Sequence, residues 1–322
     1  MEERVGKRLD LFLSEYLKGK GYSVFSRAFL QENWGKLISV NNSFPKPSYR
    51  LKIDDKVVVN WEKIKRLESS LDRSENILGE EGDLDILFEE DSFLIVDKPK
   101  GIVIHPGIGN LSNTLANKVR GYLETKGEYE KDLKRAGLVH RLDKGVSGVM
   151  VFAKTSAMQE NLQEQFESHR TKKIYLAQVR YKQLTPDFQN LIPAEKLDIY
   201  NEIERLESKN FVFNSEWHKV EGYIGRSDKN RIKMLFKRYK SKGARDSISY
   251  IKPISQDQLL ISIETGRMHQ IRATLEYMGI YIVGDTLYQK SKGKEIPDKI
   301  ELRSIFLSFF DLNGEYFSIC KI

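Results

Sequence analysis

The segment from His140 to Gly148, HRLDKGVSG, combines one carboxylate with several basic residues and two glycines. In an extended segment the side chains of Arg141 and Asp143 point to one side, while that of Leu142 points to the other. The glycines permit a sharp turn that other residues resist. This pattern is typical of a carboxylate kept ionised beside cations, as a nucleophile or base must be. A surface ion pair beside a turn fits the same residues equally well.

Two further segments contain candidate partners for this acid. Arg272 ends the segment TGRMHQIR and lies near the apolar edge of a predicted helix that stops at Gly279. A buried arginine needs a carboxylate partner, and Asp143 is a candidate, although an exposed helix arginine is the commoner outcome. Tyr175 follows two lysines in a predicted strand, where most tyrosines simply pack.

The elements that must position these residues form a mixed pattern rather than a βαβ repeat. A helix beginning at Thr155 or Ser156 presents Met158, Leu162 and Phe166 on one face. Apolar runs predict strands at 86–88, 93–96, 102–104, 149–152, 175–179 and 259–263. We therefore expect an α+β domain over residues 83–322.

The first 62 residues predict a separate small module. Apolar residues from Leu9 to Leu17 recur at helical spacing, and Ser26 is a plausible N-cap for a second helix. Two short strands follow, at 37–40 and 57–61. Residues 63–82 lose the apolar pattern and are predicted to be a linker.

Composition restricts the class of protein. The net charge is +7 and the pI is about 9.1, a modest basic excess that suggests a polyanionic partner. Cys320 is the sole cysteine, which excludes an internal disulfide, and the five histidines lack metal-ligand spacing. No signal peptide or membrane-spanning run is visible, so a soluble cytoplasmic protein is expected.

Taken in order, the three segments resemble the RluA-type pseudouridine synthases, which isomerise uridines in large-subunit rRNA and sometimes in tRNA. Residues 140–148 resemble the family's HRLD-K-x-x-S-G signature, and 265–272 its TGR-x-HQ-I/L-R motif. Residues 94–107 (LIVDKPKGIVIHPG), 173–177 (KIYLA) and 282–288 (IVGDTLY) resemble three further motifs. The N-terminal module is similar to the S4 RNA-binding domain. The resemblance covers most of the chain.

The resemblance implies a fold and a set of roles. The fold is an α+β catalytic domain on a large mixed, mainly antiparallel sheet flanked by helices and loops, preceded by the S4-like αα-β module. Asp143 would be the catalytic aspartate, Tyr175 would pack against the flipped base, and Arg272 would hold the aspartate. Arg141 would fill the gap in the RNA left by the flipped uridine. Further substrate-binding candidates are His140, Arg267 and Lys173, and those for RNA binding by the S4-like module are Arg27, Lys36, Lys46 and Arg50.

The implied reaction has no net redox change, so no cofactor and no metal is expected. The base must leave its stack, which is cheapest in RNA loops. The expected partner is therefore structured RNA, namely large-subunit rRNA or a ribosome precursor, and the protein is expected to be a monomer that binds no membrane.

Some parts of the chain depart from the family pattern or leave alternatives open. Residues 183–218 are a longer connection than the family suggests, and they fit a surface insertion or an RNA-contacting element. A basic run from Arg231 to Arg245 fits a solvated face or RNA backbone contact. Two other functions compete with the synthase: a non-catalytic RNA-binding factor, and a hydrolase with two carboxylates about 5 to 10 Å apart.

Overall fold

Two short helices and a two-stranded antiparallel sheet form at the start of the chain, in the first of the two units of the computed structural model. The structure describes residues 5–22, 25–75, 77–107, 110–182, 184–188, 191, 197–230, 232–289 and 299–322. The N-terminal elements are α1 (Leu9–Gly19), α2 (Arg27–Glu32), β1 (Ile38–Val40) and β2 (Val57–Val59). Ser26 caps α2 by accepting a hydrogen bond from the Phe29 N–H at 3.2 Å, as predicted.

The structure differs from the predicted linker at 63–82, because a helix, α3 (Trp61–Glu75), occupies its first part. Ile64 and Leu67 of α3 are buried in the N-terminal core at 0% and 6% exposure, whereas Lys65 and Arg66 are exposed. Only a narrow apolar stripe faces the core, and the charged residues around it conceal this stripe in the sequence. The N-terminal unit therefore extends to residue 75, with 107, 110 and 111 also assigned to it.

The C-terminal unit is built on a large mixed sheet, which the described residues form with 11 strands. Its strands are β3 (Ile86–Glu89), β4 (Phe93–Lys98), β5 (Ser147–Ala153), β6 (Lys172–Tyr181), β7 (His218–Arg226), β8 (Met234–Lys237), β9 (Arg245–Pro253), β10 (Gln258–Ile263), β11 (Ile280–Ile282), β12 (Leu302–Phe310) and β13 (Tyr316–Cys320). The order is β3-β4-β5-β12-β6-β10-β9-β7-β8, with β11 paired to β6 and β13 to β12. Strands β5 and β12 run parallel, and the other strand pairs of the described ranges run antiparallel. This confirms the predicted α+β class.

Alternating residues of β6 face two different cores. Tyr175 and Ala177 belong to the larger core, which also takes in the helices α4 (Leu115–Lys126), α5 (Ser156–Glu167) and α7 (Gln270–Met278). Ile174 and Leu176 belong to a smaller core on the opposite face. None of the helices in the described part of the chain is both long and apolar enough to cross a bilayer.

The long connection at 183–218 contributes a helix, α6 (Ile199–Glu207), to the smaller core. Trp217 is also buried there, and its Nε1 donates to Glu202 at 3.1 Å. Glu202 pairs with Lys252 of β9 at 2.6 Å, and both side chains are at most 5% exposed. The described part of this insertion therefore covers the sheet with apolar side chains and a buried ion pair.

The predicted strand at 102–104 does not form. The carbonyls of Val103 and Ile104 accept hydrogen bonds from the Leu115 and Ala116 N–H groups, both at 2.9 Å. These amides lie in the first turn of α4 and have no partner within the helix. The carbonyls of the run at 102–104 thus accept hydrogen bonds from the first turn of α4, and the run does not pair with a strand.

Candidate active site

The loop that carries Asp143 is fixed through the backbone carbonyls of residues 143–146. The Asp143 carbonyl accepts a hydrogen bond from the Val146 N–H at 3.0 Å, and the Lys144 carbonyl accepts one from the Gly101 N–H at 2.9 Å. The Gly145 carbonyl accepts from the Ile300 N–H at 3.0 Å, and the Val146 carbonyl accepts from Lys98 Nζ at 2.7 Å. The loop then enters β5, whose second residue, Gly148, has a positive φ of 121°. A Cβ atom at that position would lie 2.1 Å from the Ser304 carbonyl oxygen on β12. Only glycine allows this close approach, so the acid sits on a rigid support.

Lys98 lies under this loop and is fully buried. Its Nζ donates to the carbonyls of Pro99 at 2.9 Å, Lys144 at 3.2 Å and Val146 at 2.7 Å, which satisfies its three protons. Burial lowers the pKa of Lys98 to about 8, and the negative charge of Asp143 opposes this effect. From the sequence, this lysine was placed in the motif at 94–107 and was given no role.

Arg272 binds two carboxylates, Asp143 and Asp285. The sequence predicted the first of these contacts. Its Nη1 donates to Asp143 Oδ2 at 2.9 Å, while Nε and Nη2 donate to the two oxygens of Asp285 at 2.7 and 2.8 Å. Arg272 and Asp285 are 2% and 1% exposed, whereas the Asp143 side chain is 21% exposed. Burial alone would lower the pKa of Arg272, but Asp285 and Asp143 outweigh it and raise the pKa. Asp285 thus holds the arginine, and the arginine orients the more accessible acid.

Tyr175 lies in the middle of the sheet on the same face as this charge cluster. Strand β6 pairs Tyr175 with Ile261 of β10 and with Ser304 of β12. The ring is 5% exposed, and burial together with the charge of Asp143 raises the pKa of its hydroxyl. Tyr175 is therefore a neutral phenol near Asp143 at physiological pH.

His269 and Tyr288 complete the cluster, and sequence reasoning assigned neither to the site. His269 Nε2 lies 3.8 Å from Asp143 Oδ2, and its Nδ1 lies 3.2 Å from the Tyr288 hydroxyl oxygen. The Arg272 guanidinium lies over the Tyr288 ring, 4.9 Å from its centroid. The available signal was the position of His269 within the same segment as Arg272, three residues before it.

The other predicted substrate-binding residues differ in their surroundings. His140 Nε2 accepts a hydrogen bond from the Val151 N–H at 3.0 Å, and its ring stacks on Phe166 at 4.8 Å between centroids. Burial, followed by the charge of Lys173, lowers the pKa of His140 to about 3. Lys173 is 6% exposed with its Nζ 5.4 Å from the Phe166 centroid, and burial lowers its pKa to about 8. His140 therefore has a structural partner and remains neutral.

The two remaining arginines of this prediction lie further towards solvent. Arg141 is exposed, next to the buried Leu142. Arg267 is half-buried, and its Nε donates to the Asp246 carbonyl at 2.9 Å. The structure brings Asp143, Tyr175 and Arg272 together, and these two arginines remain predicted RNA contacts.

In the N-terminal unit, Arg27 is exposed and is also paired with the buried Asp10. Arg27 Nε donates to Asp10 Oδ2 at 3.1 Å, and Asp10 also accepts from Arg8 and Gln31. Burial of Asp10 opposes its charge, but these hydrogen bonds outweigh burial and lower its pKa. The other three predicted cations, Lys36, Lys46 and Arg50, are exposed as well, and Arg50 Nη1 donates to the Gly6 carbonyl at 2.8 Å.

No group of three or more His, Cys, Asp or Glu side chains in the described residues is arranged to hold a metal ion. Asp143 and Asp285 are engaged with Arg272 instead. Cys320 is half-buried, and burial raises the pKa of its thiol to about 11.

Comparison with known proteins identifies the family. The family model described as RNA pseudouridylate synthase matches residues 92–277, more than half of the chain. The chain belongs to this family. Its members convert uridine in RNA to pseudouridine, and the match contains Asp143, Tyr175, His269 and Arg272. The N-terminal unit, apart from residues 107, 110 and 111, lies outside the matched range.

Individual relatives extend this likeness. The chain is 28% identical over 297 residues to "Ribosomal large subunit pseudouridine synthase D" of Borreliella burgdorferi, covering 89% of this chain and 77% of that protein. It is 34% identical over 216 residues to the protein of the same name from Nitrosomonas europaea, covering 67% of this chain and 51% of the relative, about half its length. The solved structure of human RNA pseudouridylate synthase domain containing 1 has a TM-score of 0.51 at 21% identity, over 76% of this chain and 86% of that one. The last likeness concerns the fold alone.

Proposed function

We propose that this RNA pseudouridine synthase isomerises uridines of large-subunit ribosomal RNA, with Asp143 as its catalytic carboxylate. The observation that carries the catalytic part is the ion pair between Asp143 and Arg272, which are 129 positions apart in the chain. The names of the relatives in two bacteria support the ribosomal substrate. We expect the enzyme to act as a monomer in the cytoplasm.

The reaction defines what the site must do. The bond between C1′ of the ribose and N1 of uracil breaks, the ring turns, and C1′ bonds to C5. The proton on C5 leaves and N1 gains a proton, so the product is an isomer of the substrate. Asp143 is 21% exposed and can reach a bound nucleotide, whereas Arg272 at 2% holds it from behind. The carboxylate thus presents a fixed oxygen to the ribose or the base, as positioning requires.

Residues around the acid supply the remaining contacts. Tyr175 offers an aromatic face to an extruded base, and its neutral hydroxyl offers a proton or a hydrogen bond. Arg141, exposed two residues before the acid, would fill the space that the base leaves in the RNA. We also retain His140, Lys173 and Arg267 as proposed contacts of the substrate. Since extrusion costs a few kcal/mol, these contacts must offset it.

A basic surface on the connection between β8 and β9 and at the start of β9 supports RNA binding. Lys233 pairs with Glu276, and Arg231 of this run lies outside the described residues. The exposed members of the run are Arg238, Lys240, Lys242 and Arg245. Strand β8 also packs against α7, the helix that carries Arg272. We propose that this basic surface contacts RNA phosphates next to the site.

We propose that the N-terminal unit contains an S4-like RNA-binding module in residues 1–62. Two helices followed by a two-stranded sheet support this proposal, as do the exposed Lys36, Lys46 and Arg50. Arg27 is the weakest of the four predicted contacts because Asp10 already binds it. Phosphate contacts by this module would strengthen binding without reading a base.

The competing functions fit the site less well. A two-carboxylate hydrolase would need Asp285 as its second acid, but both of its oxygens accept hydrogen bonds from Arg272 and it is 1% exposed. A non-catalytic RNA-binding factor has no need for a partly exposed carboxylate held by a buried arginine next to a buried tyrosine.

Mapping of pseudouridines in rRNA and tRNA from cells lacking the protein tests the substrate. We expect specific large-subunit rRNA positions to lose pseudouridine and to regain it when the wild-type protein is returned. The Asp143→Asn variant should fail to restore them, while binding RNA within a few-fold of wild type. The Asp91→Asn variant, at an exposed acid in a turn, is the matched control and should restore them.

Three outcomes would contradict the proposal. Loss of pseudouridine in tRNA only would overturn the ribosomal substrate. Full restoration by the Asp143→Asn variant would remove Asp143 from the mechanism. Unchanged pseudouridine in both RNA classes would overturn the function in these cells.

A further inference from the structure

His269 has an unusual backbone for a buried side chain next to a catalytic acid. It immediately precedes α7, and its φ of 54° lies in the left-handed region that disfavours side chains. The residue is 8% exposed. Strained positions of this kind cluster at functional sites, where the surrounding structure enforces them. The strain places the imidazole between Asp143 and Tyr288.

The hydrogen bonds of Tyr288 determine which ring nitrogen of His269 carries a proton. The Tyr288 hydroxyl oxygen accepts from the Met234 N–H at 2.9 Å and lies 3.0 Å from the Met234 carbonyl oxygen. A carbonyl can only accept, so the single hydroxyl proton is donated to it. His269 Nδ1, 3.2 Å from the same hydroxyl oxygen, must therefore be the donor of their contact. In the neutral imidazole this leaves Nε2 without a proton.

Nε2, which carries the lone pair of the neutral ring, lies near the catalytic acid. It lies 3.8 Å from Asp143 Oδ2, too far for a direct hydrogen bond. Five groups act on or contact the ring: Asp143, Arg141, Arg272, Asp285 and Tyr288. Lys233, paired with Glu276, stands over the Tyr288 ring. Burial lowers the pKa of His269 more than the two acids raise it, so the ring is neutral at physiological pH.

We propose that Nε2 of His269 accepts the proton that leaves C5 of the base after the C1′–C5 bond has formed. The electron pair of the C5–H bond forms the C5–C6 double bond, the electron pair of the N1–C6 double bond moves onto N1, and the proton forms an imidazolium. The proton that N1 requires is then supplied by this imidazolium or by water, which restores the neutral histidine. This proposal rests on the function proposed above and extends it by one catalytic residue.

Two features favour His269 over the other candidates for this step. Tyr175 is protonated at neutral pH because its pKa is raised, so it cannot accept a proton without first losing one. An imidazolium at position 269 would gain the attraction of the Asp143 carboxylate, which the neutral ring lacks. Because this attraction arises only as the proton moves, it stabilises the transition state more than the bound substrate.

The His269→Asn variant separates this role from a structural one. Asparagine tolerates the left-handed backbone, and its side-chain amide can donate to Tyr288 in place of Nδ1. It has no atom equivalent to the basic Nε2. The measurement is single-turnover release of tritium from RNA carrying [5-³H]uridine, repeated with [5-²H]uridine to obtain the isotope effect on product formation.

We expect the variant to lose about 10²- to 10⁴-fold in rate, the range of general base catalysis. A primary isotope effect at C5 should appear in the variant, and the part of the acidic decline in rate that comes from protonation of His269 should be missing. RNA affinity and the unfolding temperature should stay near the wild-type values. The His269→Gln variant, which puts an amide towards Asp143, should be equally slow.

Three results would overturn the assignment. The first is a His269→Asn rate within about threefold of wild type. The second is a slow variant with no isotope effect at C5, which would indicate a positioning role. The third is an unchanged pH profile in a folded variant. Absence of tritium release by the wild-type protein would instead refute the proposed function itself.

Discussion

Replacement of Arg272 by lysine tests whether the site depends on the fork geometry of a guanidinium or only on a positive charge. Arg272 uses Nε and Nη2 for Asp285 and Nη1 for Asp143, at 2.7, 2.8 and 2.9 Å. Lysine keeps the charge but places it on one nitrogen, which cannot span both acids in that geometry. At least one carboxylate would then be left without its charged hydrogen bond.

The structure sets the size of the expected loss. Each hydrogen bond to a charged group contributes about 1.5–3 kcal/mol, and breaking a buried ion pair costs about 3–5 kcal/mol. Asp285 is 1% exposed and has no access to water, so we expect the free energy of unfolding to fall by about 3 kcal/mol. For a domain of roughly 150–250 residues this lowers the unfolding temperature by about 6–12 °C. A shift of Asp143 by about 1 Å would also slow isomerisation by about 10²-fold.

Thermal unfolding and single-turnover tritium release measure the two effects. The Arg303→Lys variant is the matched control, because Arg303 is 25% exposed and binds one carboxylate, Asp97, at 2.6 Å. It should change the free energy of unfolding by less than about 1 kcal/mol and leave the rate unaltered. An Arg272→Lys protein that unfolds at the wild-type temperature and isomerises at the wild-type rate would refute the reasoning.

Three further predictions address other parts of the chain. The pKa of Lys98 is lowered to about 8 in the folded state, so the unfolded chain binds more protons between pH 8 and 10.5. Wild type should therefore gain about 3 kcal/mol of stability relative to Lys98→Met over this range. Free energies of unfolding in urea that depend on pH in the same way for both proteins would contradict this. The double variant Lys36→Asn, Lys46→Gln should reduce the slope of log affinity against log salt by about 1–2, and an unchanged slope would argue against phosphate contacts there. Glu202→Gln should lower the free energy of unfolding by about 3 kcal/mol, because Lys252 then keeps only Glu216 as a charged partner. The rate per folded molecule should stay at the wild-type value. Lost activity at full stability would instead assign the insertion a role in RNA binding.

The sequence predicted the central pair of the site because its residues stand in recognisable segments. Asp143 and Arg272 were placed together from two motifs, and the structure confirms their contact. Local signals also located helix starts, as at Ser26 and at Thr155, whose side chain accepts from the Met158 N–H. Such features depend on neighbours within a few residues, so the sequence displays them directly.

What the sequence did not reveal depends on contacts between distant segments. The role of Lys98 arises from carbonyls of Lys144 and Val146, some 46 and 48 positions later. The run at 102–104 reads as a strand, but its carbonyls serve the start of α4. The function of His269 became visible only when Tyr288 and Met234 were placed around its ring. Such hydrogen bonds join segments that are far apart in the chain, so no local pattern in the sequence indicates them.

The charges around the site stabilise the detached uracil anion whether Asp143 acts as a nucleophile or as a base. With Lys98 and Arg272 positive and Asp143 and Asp285 negative, the buried cluster is neutral before the reaction. When the C1′–N1 bond breaks, its electron pair leaves with uracil, which carries a negative charge. If Asp143 has by then formed a bond or taken a proton, the remaining protein charges sum to one positive charge. The site thus offsets the charge of the detached base whether Asp143 acts as nucleophile or as base, and it does so without moving a residue.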